Sequence, residues 1–350
     1  MEPIIYNLPK VEKYIEIADE NIYFDEYPSP KLIKYGFNTI NEQLDMVALT
    51  SNPYYKSGLN FDFERNDKQS MKTKANELLK TKDFNIDFAE FWEILNLFSI
   101  LSTTQNIHTT KKNIVEDVVN TYQKLTGSKK SYIVGGPKMK PKEKVTLVIH
   151  KYSDIDIDEN AAIHLIINDL KDLVSIQEKG ANMVLQLFSL QTQTSSELLY
   201  YLGSLYNEAY LVKPIVTSNL SDSKYIVLLN LKEKNIKLPK LPKIPTDAYL
   251  ISLGIKSIPN DFLTVIQCMN SQIIPKKYET YNSIKSYLDS KVYEGSTYQD
   301  MVKNQNSNTT KWFETFSDVG AENMKKILDQ SIQRSNTVCV SYSKIIDILV

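Results

Sequence analysis

Residues 180–190 read GANMVLQLFSL, and residues 211–231 read LVKPIVTSNLSDSKYIVLLNL. The first stretch is a short and nearly continuous apolar run, which is typical of a strand buried on both faces of a parallel sheet. After this first strand, SSELLYYLGSLYNEA predicts a helix. Two further strands are predicted in the second stretch, one at AYLVKP and one at KYIVLLNL. This order predicts the closing half of a doubly wound α/β sheet.

The same alternation extends towards the N-terminus. AAIHLIINDLKDLVSIQEKG predicts a helix that ends at Gly180, and NIVEDVVNTYQKLTG predicts an earlier helix that ends at Gly127. Two β-rich runs, SYIV and KVTLVIHKY, lie between these helices. DFAEFWEILNLFSIL places its large apolar residues at helical spacing and predicts an amphipathic helix in which Trp92 is a packing residue.

The two ends of the chain differ from this central region. Residues 1–70 combine short apolar pairs with several prolines and predict an irregular N-terminal extension. Residues 232–247, KEKNIKLPKLPKIPTD, are rich in proline and lysine and predict a stiff linker. Residues 248–350 contain several helical patterns and predict an α-rich C-terminal appendage. The predicted α/β domain therefore covers residues 71–231.

Composition excludes several classes of protein. The 41 basic and 42 acidic side chains give a net charge of -1, so any contact with nucleic acid must come from a local patch. The two cysteines and three histidines do not have the spacing of a zinc site, and no apolar run approaches the length of a membrane span. The N-terminus has no signal-peptide pattern. We therefore expect a cytoplasmic protein without a structural metal or a disulfide framework.

The stretch quoted first resembles the FtsJ-type RNA 2'-O-methyltransferases. In that family a glycine turn and a strand are followed by a helix, a Lys-Pro pair, a serine-containing loop and a Tyr-Ile-Val strand. The residues at these places here are, in order, Gly180, Lys213, Pro214, Ser218, Ser221, Tyr225, Ile226 and Val227. Residues 281–316 are similar to the tail of versions found in large DNA viruses. The resemblance implies a Rossmann-like, mostly parallel methyltransferase sheet over residues 71–231.

The chemistry of that family depends on a Lys-Asp-Lys-Glu tetrad, whose second lysine deprotonates the ribose 2'-hydroxyl. Carried over position by position, the tetrad falls on Glu90, Lys151, Gln186 and Ser223, with Asp154 and Asp156 close to the second position. None of the four family residues is retained. Because the amide of Gln186 cannot accept a proton near neutral pH, the resemblance implies a degenerate site without a general base.

The cofactor turn of the family is also degenerate. S-adenosylmethionine binding in this fold requires a glycine-rich turn after the first strand, because only a backbone without side chains allows the methionine moiety to approach closely. The corresponding segment, SILSTTQNIHTTKKN, contains no glycine, and Gly135–Gly136 is the nearest candidate for a surviving turn. We therefore expect no cofactor, or S-adenosylmethionine if the protein is an active enzyme.

This combination also resembles the small, regulatory subunit of the poxvirus-type mRNA-capping enzyme, which keeps a methyltransferase-like fold and stimulates a catalytic partner. The resemblance implies a catalytically inactive regulatory or structural subunit in viral mRNA capping or transcription, located in the host cytoplasm or the virion. Its implied partner is a catalytic capping or transcription protein. The lysines predicted to contact RNA or that partner are Lys138, Lys140, Lys142 and Lys213.

Two enzymatic alternatives remain open. An active RNA cap 2'-O-methyltransferase with displaced catalytic groups would use Lys151, Asp154 and Lys213. A nucleotidyltransferase resembling poly(A) polymerase would bind two magnesium ions through Asp154 and Asp156, which occupy alternate positions after a predicted strand. Against this second alternative, the interval from Gly135–Gly136 to Asp154 is longer than that motif prefers. Cys268 lies in an apolar helical stretch and is predicted to be a core residue.

Overall fold

The computed structural model describes residues 2–25, 44–62, 68–82, 84–137, 144–152, 158–233 and 248–349, and at residues 19, 68–70 and 342–349 it describes the backbone alone. Within these ranges the strands are β1 (Ile4–Asn7), β2 (Tyr23–Asp25), β3 (Asn106–Thr109), β4 (Ile133–Gly135), β5 (Val145–His150), β6 (Gln177–Leu187), β7 (Tyr206–Lys213), β8 (Lys224–Leu231) and β9 (Tyr249–Ser252). The helices are α1 (Met46–Ser51), α2 (Tyr55–Gly58), α3 (Lys68–Lys74), α4 (Ile86–Leu97), α5 (Ile100–Thr103), α6 (Lys112–Thr126), α7 (Glu159–Ser175), α8 (Gln193–Leu205), α9 (Asn260–Ser290), α10 (Ser296–Ser317) and α11 (Ala321–Leu349).

Seven strands form one sheet in the order β1-β7-β8-β6-β5-β3-β4, and β2 and β9 form a separate pair. The strands β4, β3, β5 and β6 pair in parallel. Strand β8 runs antiparallel between β6 and β7, so β7 has the same direction as β6. Strand β1 closes the edge antiparallel to β7. The predicted α/β fold with a largely parallel, Rossmann-like sheet is confirmed.

Helices cover both faces of the sheet, because alternate residues of each buried strand point to opposite sides. On β6, Met183 and Leu185 face a core that includes α7, α8 and residues such as Phe262 of α9. Val184 faces the opposite core, which is formed with α4, α6 and residues such as Phe316 of α10. The near-continuous apolar run at residues 181–187 follows directly from this burial on two faces.

One of the two predicted helix-ending glycines has a different role. Gly127 ends α6 in the left-handed conformation, with φ of +66°, as predicted. The prediction for Gly180 was wrong, because α7 ends at Ser175 and Gly180 lies inside β6 with φ of +82°. The pairing of β5 with β6 shifts register in this part of the strand. A glycine with positive φ suits a β-bulge as well as a helix end, so the residue type alone misplaced the boundary.

The helix predicted to be amphipathic, α4, is buried on every face. Each residue from Phe88 to Leu97 is buried, because the sheet covers one side and the C-terminal helices cover the other. Trp92 stacks on Phe88, and its indole Nε1 donates a hydrogen bond of 2.8 Å to the carbonyl of Phe316 in α10. The predicted packing role of Trp92 is confirmed.

Both ends of the chain contribute to this fold. Strand β1, from the predicted N-terminal extension, extends the sheet, and α9, α10 and α11 from the predicted appendage pack against its two faces. Residues 234–247, which make up most of the predicted linker, lie outside the described residues. The division of the chain into domains stays a prediction.

Candidate functional site

The four positions that correspond to the methyltransferase tetrad meet at one edge of the sheet. Gln186 lies on β6, an interior strand between β5 and β8, and pairs in register with Tyr225 of β8. Lys151 directly follows β5, and Ser223 directly precedes β8. Because β5 and β6 are parallel and β8 is antiparallel to them, these three positions fall on the same edge. Helix α4 brings Glu90 to that edge from the covering layer.

The first two positions form a buried ion pair. The Nζ atom of Lys151 lies 2.7 Å from Oε2 of Glu90, and only 4% and 3% of the two side chains are exposed. Oδ1 of Asp87, one turn earlier on α4, lies 2.5 Å from the same Nζ. Burial alone would lower the pKa of Lys151, but the two carboxylates outweigh it and raise the pKa above its ordinary value. Lys151 is therefore held as a cation.

Glu90 has further donors around it. The hydroxyl of Tyr225 donates to Oε2 at 2.5 Å, and the hydroxyl of Thr217 donates to Oε1 at 2.6 Å. Together with Lys151, these groups give the buried carboxylate three hydrogen-bond donors from three different chain segments. Such multiple pairing is what a charged group requires when it is removed from water.

The other two positions form a neutral hydrogen bond. Nε2 of Gln186 donates to Oγ of Ser223 at 2.8 Å, and Oε1 of Gln186 accepts from the backbone N–H of Tyr152 at 2.8 Å. The amide thus joins the ends of β5 and β8 across β6. It has no lone pair that takes up a proton near neutral pH.

Glu93, one turn beyond Glu90 on α4, is a second buried carboxylate that the sequence analysis missed. It accepts hydrogen bonds from the backbone N–H of Ile215 at 2.8 Å and from the indole Nε1 of Trp312 at 3.0 Å. Burial raises the pKa of Glu93 to about 8. Its signal in the sequence was a glutamate pair at helical spacing within an otherwise apolar segment.

The loop between β7 and β8 is held in place by two buried side chains. Nζ of Lys213 donates to the carbonyls of Ser218, Ser221 and Ser223 at 3.0, 2.8 and 3.2 Å. Burial lowers the pKa of Lys213 to about 7. The structure therefore directs this amine into the loop, while its predicted contact with RNA or a partner stays a prediction.

The second of these side chains is Asp62, which accepts hydrogen bonds from the same loop and precedes it in the chain by more than 150 residues. Its Oδ2 accepts from the hydroxyl of Ser218 at 2.6 Å and from the N–H of Asn219 at 2.8 Å. The backbone carbonyl of Asp62 accepts from Nε2 of Gln305 in α10 at 2.9 Å. The loop is thus connected to the C-terminal helices.

The described residues do not fit S-adenosylmethionine at the turn after β3. The hydroxyl of Thr110 donates to the carbonyl of Lys151 at 2.7 Å and accepts from its N–H at 3.0 Å, so it bridges the ends of β3 and β5. Lys111 extends to Oδ2 of Asp87 at 3.2 Å. This turn therefore has side chains, which are engaged with Lys151 and Asp87, where the family pattern given above has glycine. At Gly135 and Gly136 an added Cβ would make only ordinary contacts of 3.7 Å or more, so neither glycine is required by close packing.

Several predicted site residues lie outside the described residues, namely Lys138, Lys140, Lys142, Asp154 and Asp156. In the part of the chain that is described, no three His, Cys, Asp or Glu side chains are grouped so as to hold a metal ion. Within the same ranges, no helix is long and apolar enough to cross a membrane. Cys268 is buried, as predicted.

Comparisons with known proteins give two relatives and no matching family model. Over 116 residues the chain is 28% identical to "Cap-specific mRNA (nucleoside-2'-O-)-methyltransferase 2" of Drosophila melanogaster, which covers 31% of this chain and 17% of that enzyme. Over 349 residues it is 46% identical to "Uncharacterized protein R383" of Acanthamoeba polyphaga mimivirus, which covers 99% of both chains. This chain therefore belongs to the family of the mimivirus protein, a viral α/β family distantly related to a cap-specific 2'-O-methyltransferase.

Proposed function

We propose that this protein is a catalytically inactive methyltransferase fold that serves as a regulatory or structural subunit in viral mRNA capping or transcription. The observation that supports this most directly is the convergence of Glu90, Lys151, Gln186 and Ser223 at one sheet edge. This convergence supports the assignment of these four residues to the tetrad positions. The first pair, however, has its charges in the reverse order, and the second pair is neutral.

A ribose 2'-hydroxyl is weakly acidic, so its methylation needs a nearby base with a free lone pair. The amide of Gln186, at the position of the base, is too weakly basic to accept a proton near neutral pH. Lys151 is fixed between two carboxylates, which favour its protonated form. The polar groups at the four positions are thus engaged with one another, which is expected of a site that supports the fold.

An active cap 2'-O-methyltransferase is the second candidate, and the partial match to the Drosophila enzyme favours it. Its base among the described residues would be Lys213, whose pKa of about 7 suits proton transfer near neutral pH. Against this role, the three carbonyls around Lys213 can accept hydrogen bonds from all three N–H groups of its ammonium form, which favours the protonated amine. The nucleotidyltransferase alternative depends on Asp154 and Asp156 and stays a prediction.

The decisive experiment measures binding and transfer with the same purified protein. Isothermal titration with S-adenosylmethionine is expected to give no heat of binding, and incubation with capped RNA and labelled cofactor is expected to give no methylated RNA. A cap-specific 2'-O-methyltransferase serves as the positive control. Micromolar cofactor binding, or transfer that is abolished by Lys213→Met, would replace this proposal with the second candidate.

The proposed role also predicts a partner. A regulatory subunit is expected to co-purify with a catalytic capping or transcription protein and to raise that protein's activity when it is added back. Its proposed location is therefore the host cytoplasm or the virion. If the purified chain neither associates with such an enzyme nor changes its rate, the regulatory role is wrong. This result would leave the proposed lack of catalytic activity unaffected.

A further inference from the structure

The two cysteines of the 350-residue chain lie next to each other in the folded protein. Cys268 belongs to α9 and Cys339 to α11; these two helices contact each other, Cys339 packs against the core that contains Cys268, and the two thiols are close enough to interact directly. They are separated by most of α9, the whole of α10 and more than half of α11. A single buried cysteine is ordinarily a packing residue, but a contact between two cysteines from distant segments can form a covalent bond.

The surroundings of the two thiols are unequal. Cys268 is fully buried in the core that includes Ile266 and Met269, and Cys339 packs against that core from its partly exposed rim. Tyr6 of the edge strand β1 lies beside both thiols, so β1, α9 and α11 meet at this point. An oxidant from solvent can therefore reach Cys339 first, with Cys268 positioned behind it.

We propose that Cys339 and Cys268 form a reversible disulfide that fastens α11 to α9 when the protein meets a peroxide. The Cys339 thiolate attacks one peroxide oxygen, the O–O bond breaks, and a sulfenic acid and hydroxide are formed. The Cys268 sulfur then attacks the sulfenic sulfur. An S–S bond replaces the S–O bond, and the leaving hydroxide takes the proton of Cys268. Two thiols and one hydrogen peroxide thus give one disulfide and two waters.

The ionisation of the pair agrees with this order of events. The hydrogen bond with Cys268 lowers the pKa of Cys339, whereas the same hydrogen bond and burial raise the pKa of Cys268. Because the thiolate is the reactive form, Cys339 is the expected nucleophile and Cys268 the resolving thiol. A dithiol reductant is expected to restore both thiols.

The test uses the full-length protein, treated with hydrogen peroxide, quenched, and alkylated in denaturant without reductant. We expect intact mass spectrometry to show a monomer lighter by two hydrogen atoms that takes up no alkyl group. Peptide mapping should join the peptides of Cys268 and Cys339. Oxidation is expected to raise the melting temperature by about 5 °C or more, because the closed loop is long.

Cys339→Ser is the matched control, since its site is partly exposed and the substitution is small. This variant should show no gain in melting temperature with peroxide, and its Cys268 should remain alkylatable in denaturant. If the variant fails to fold, the peptide map of the wild-type protein still decides the matter. The proposal is overturned if both wild-type thiols stay alkylatable, if Cys339 advances to sulfinic acid while Cys268 stays free, or if the disulfide links two chains.

Discussion

Replacing Lys151 by methionine tests whether the buried charge pair stabilises the fold. The substitution keeps an apolar stem of similar length and removes the cation between Glu90 and Asp87. Asp87 keeps a partner in Lys111, and Glu90 keeps the hydroxyl donors of Thr217 and Tyr225. What remains is a carboxylate, 3% exposed, without a neutralising charge.

Breaking a buried ion pair from one side typically costs about 3–5 kcal/mol, because the other charge stays buried without compensation. Since two hydroxyls still donate to Glu90, we expect the lower part of this range, about 3 kcal/mol. The double variant Glu90→Gln/Lys151→Met removes both charges. The double variant should therefore be about 1–2 kcal/mol more stable than Lys151→Met, even though it carries one more substitution.

Urea unfolding followed by tryptophan fluorescence is a suitable assay. The two tryptophans of the chain, Trp92 and Trp312, are buried in the same core as α4. Comparison of the wild type, Glu90→Gln, Lys151→Met and the double variant gives the coupling free energy between Glu90 and Lys151 directly. A loss below about 1 kcal/mol for Lys151→Met, or strictly additive single effects, would refute the reasoning.

Three further predictions concern other parts of the structure. Burial raises the pKa of Glu93 from its ordinary value of 4.5 to about 8 in the folded protein, so its contribution to stability is full below pH 4.5 and is lost as the pH rises through 8. Glu93→Gln should therefore flatten the fall in melting temperature between these pH values, and an unchanged profile would contradict the assignment. Asp62→Ala should cost about 1–2 kcal/mol and speed amide hydrogen exchange in the β7–β8 loop, while equal exchange rates would show that the loop does not need this anchor. Gly254→Ala should cost more stability in thermal unfolding than Gly127→Ala, because both have positive φ but only at Gly254 would the new Cβ meet a neighbouring backbone oxygen at 2.7 Å.

The succession of helices and strands along the chain could be predicted from the sequence because burial on two faces leaves nearly continuous apolar runs, whereas the antiparallel insertion of β8 between β6 and β7 could not. Five of the seven residues at 181–187 are apolar and all seven are buried, and β8 follows a clear loop. Gln186 and Ser223 were singled out by the family resemblance, and the hydrogen bond between them is visible only in the folded chain. The end of α7 could not be predicted from Gly180, because a glycine with positive φ occurs in β-bulges as well as at helix ends.

The buried charges could not be predicted in the same way. Glu90 and Lys151 are 61 residues apart, and nothing local to either residue indicates their contact. The environment of α4 was misjudged because its second apolar face is covered by α10, more than two hundred residues later in the chain. Patterns in one helix indicate that it is buried, but they do not identify which distant segment covers it.

The burial of α4 by α10 has a consequence for synthesis on the ribosome. Trp92 leaves the ribosome long before Phe316, the residue that its indole contacts in the finished protein. Strand β1 likewise waits for β7 before it can pair. The nascent chain must therefore leave apolar surface of α4 uncovered until α10 has been synthesised, and we expect the protein to reach its final packing only after translation is nearly complete.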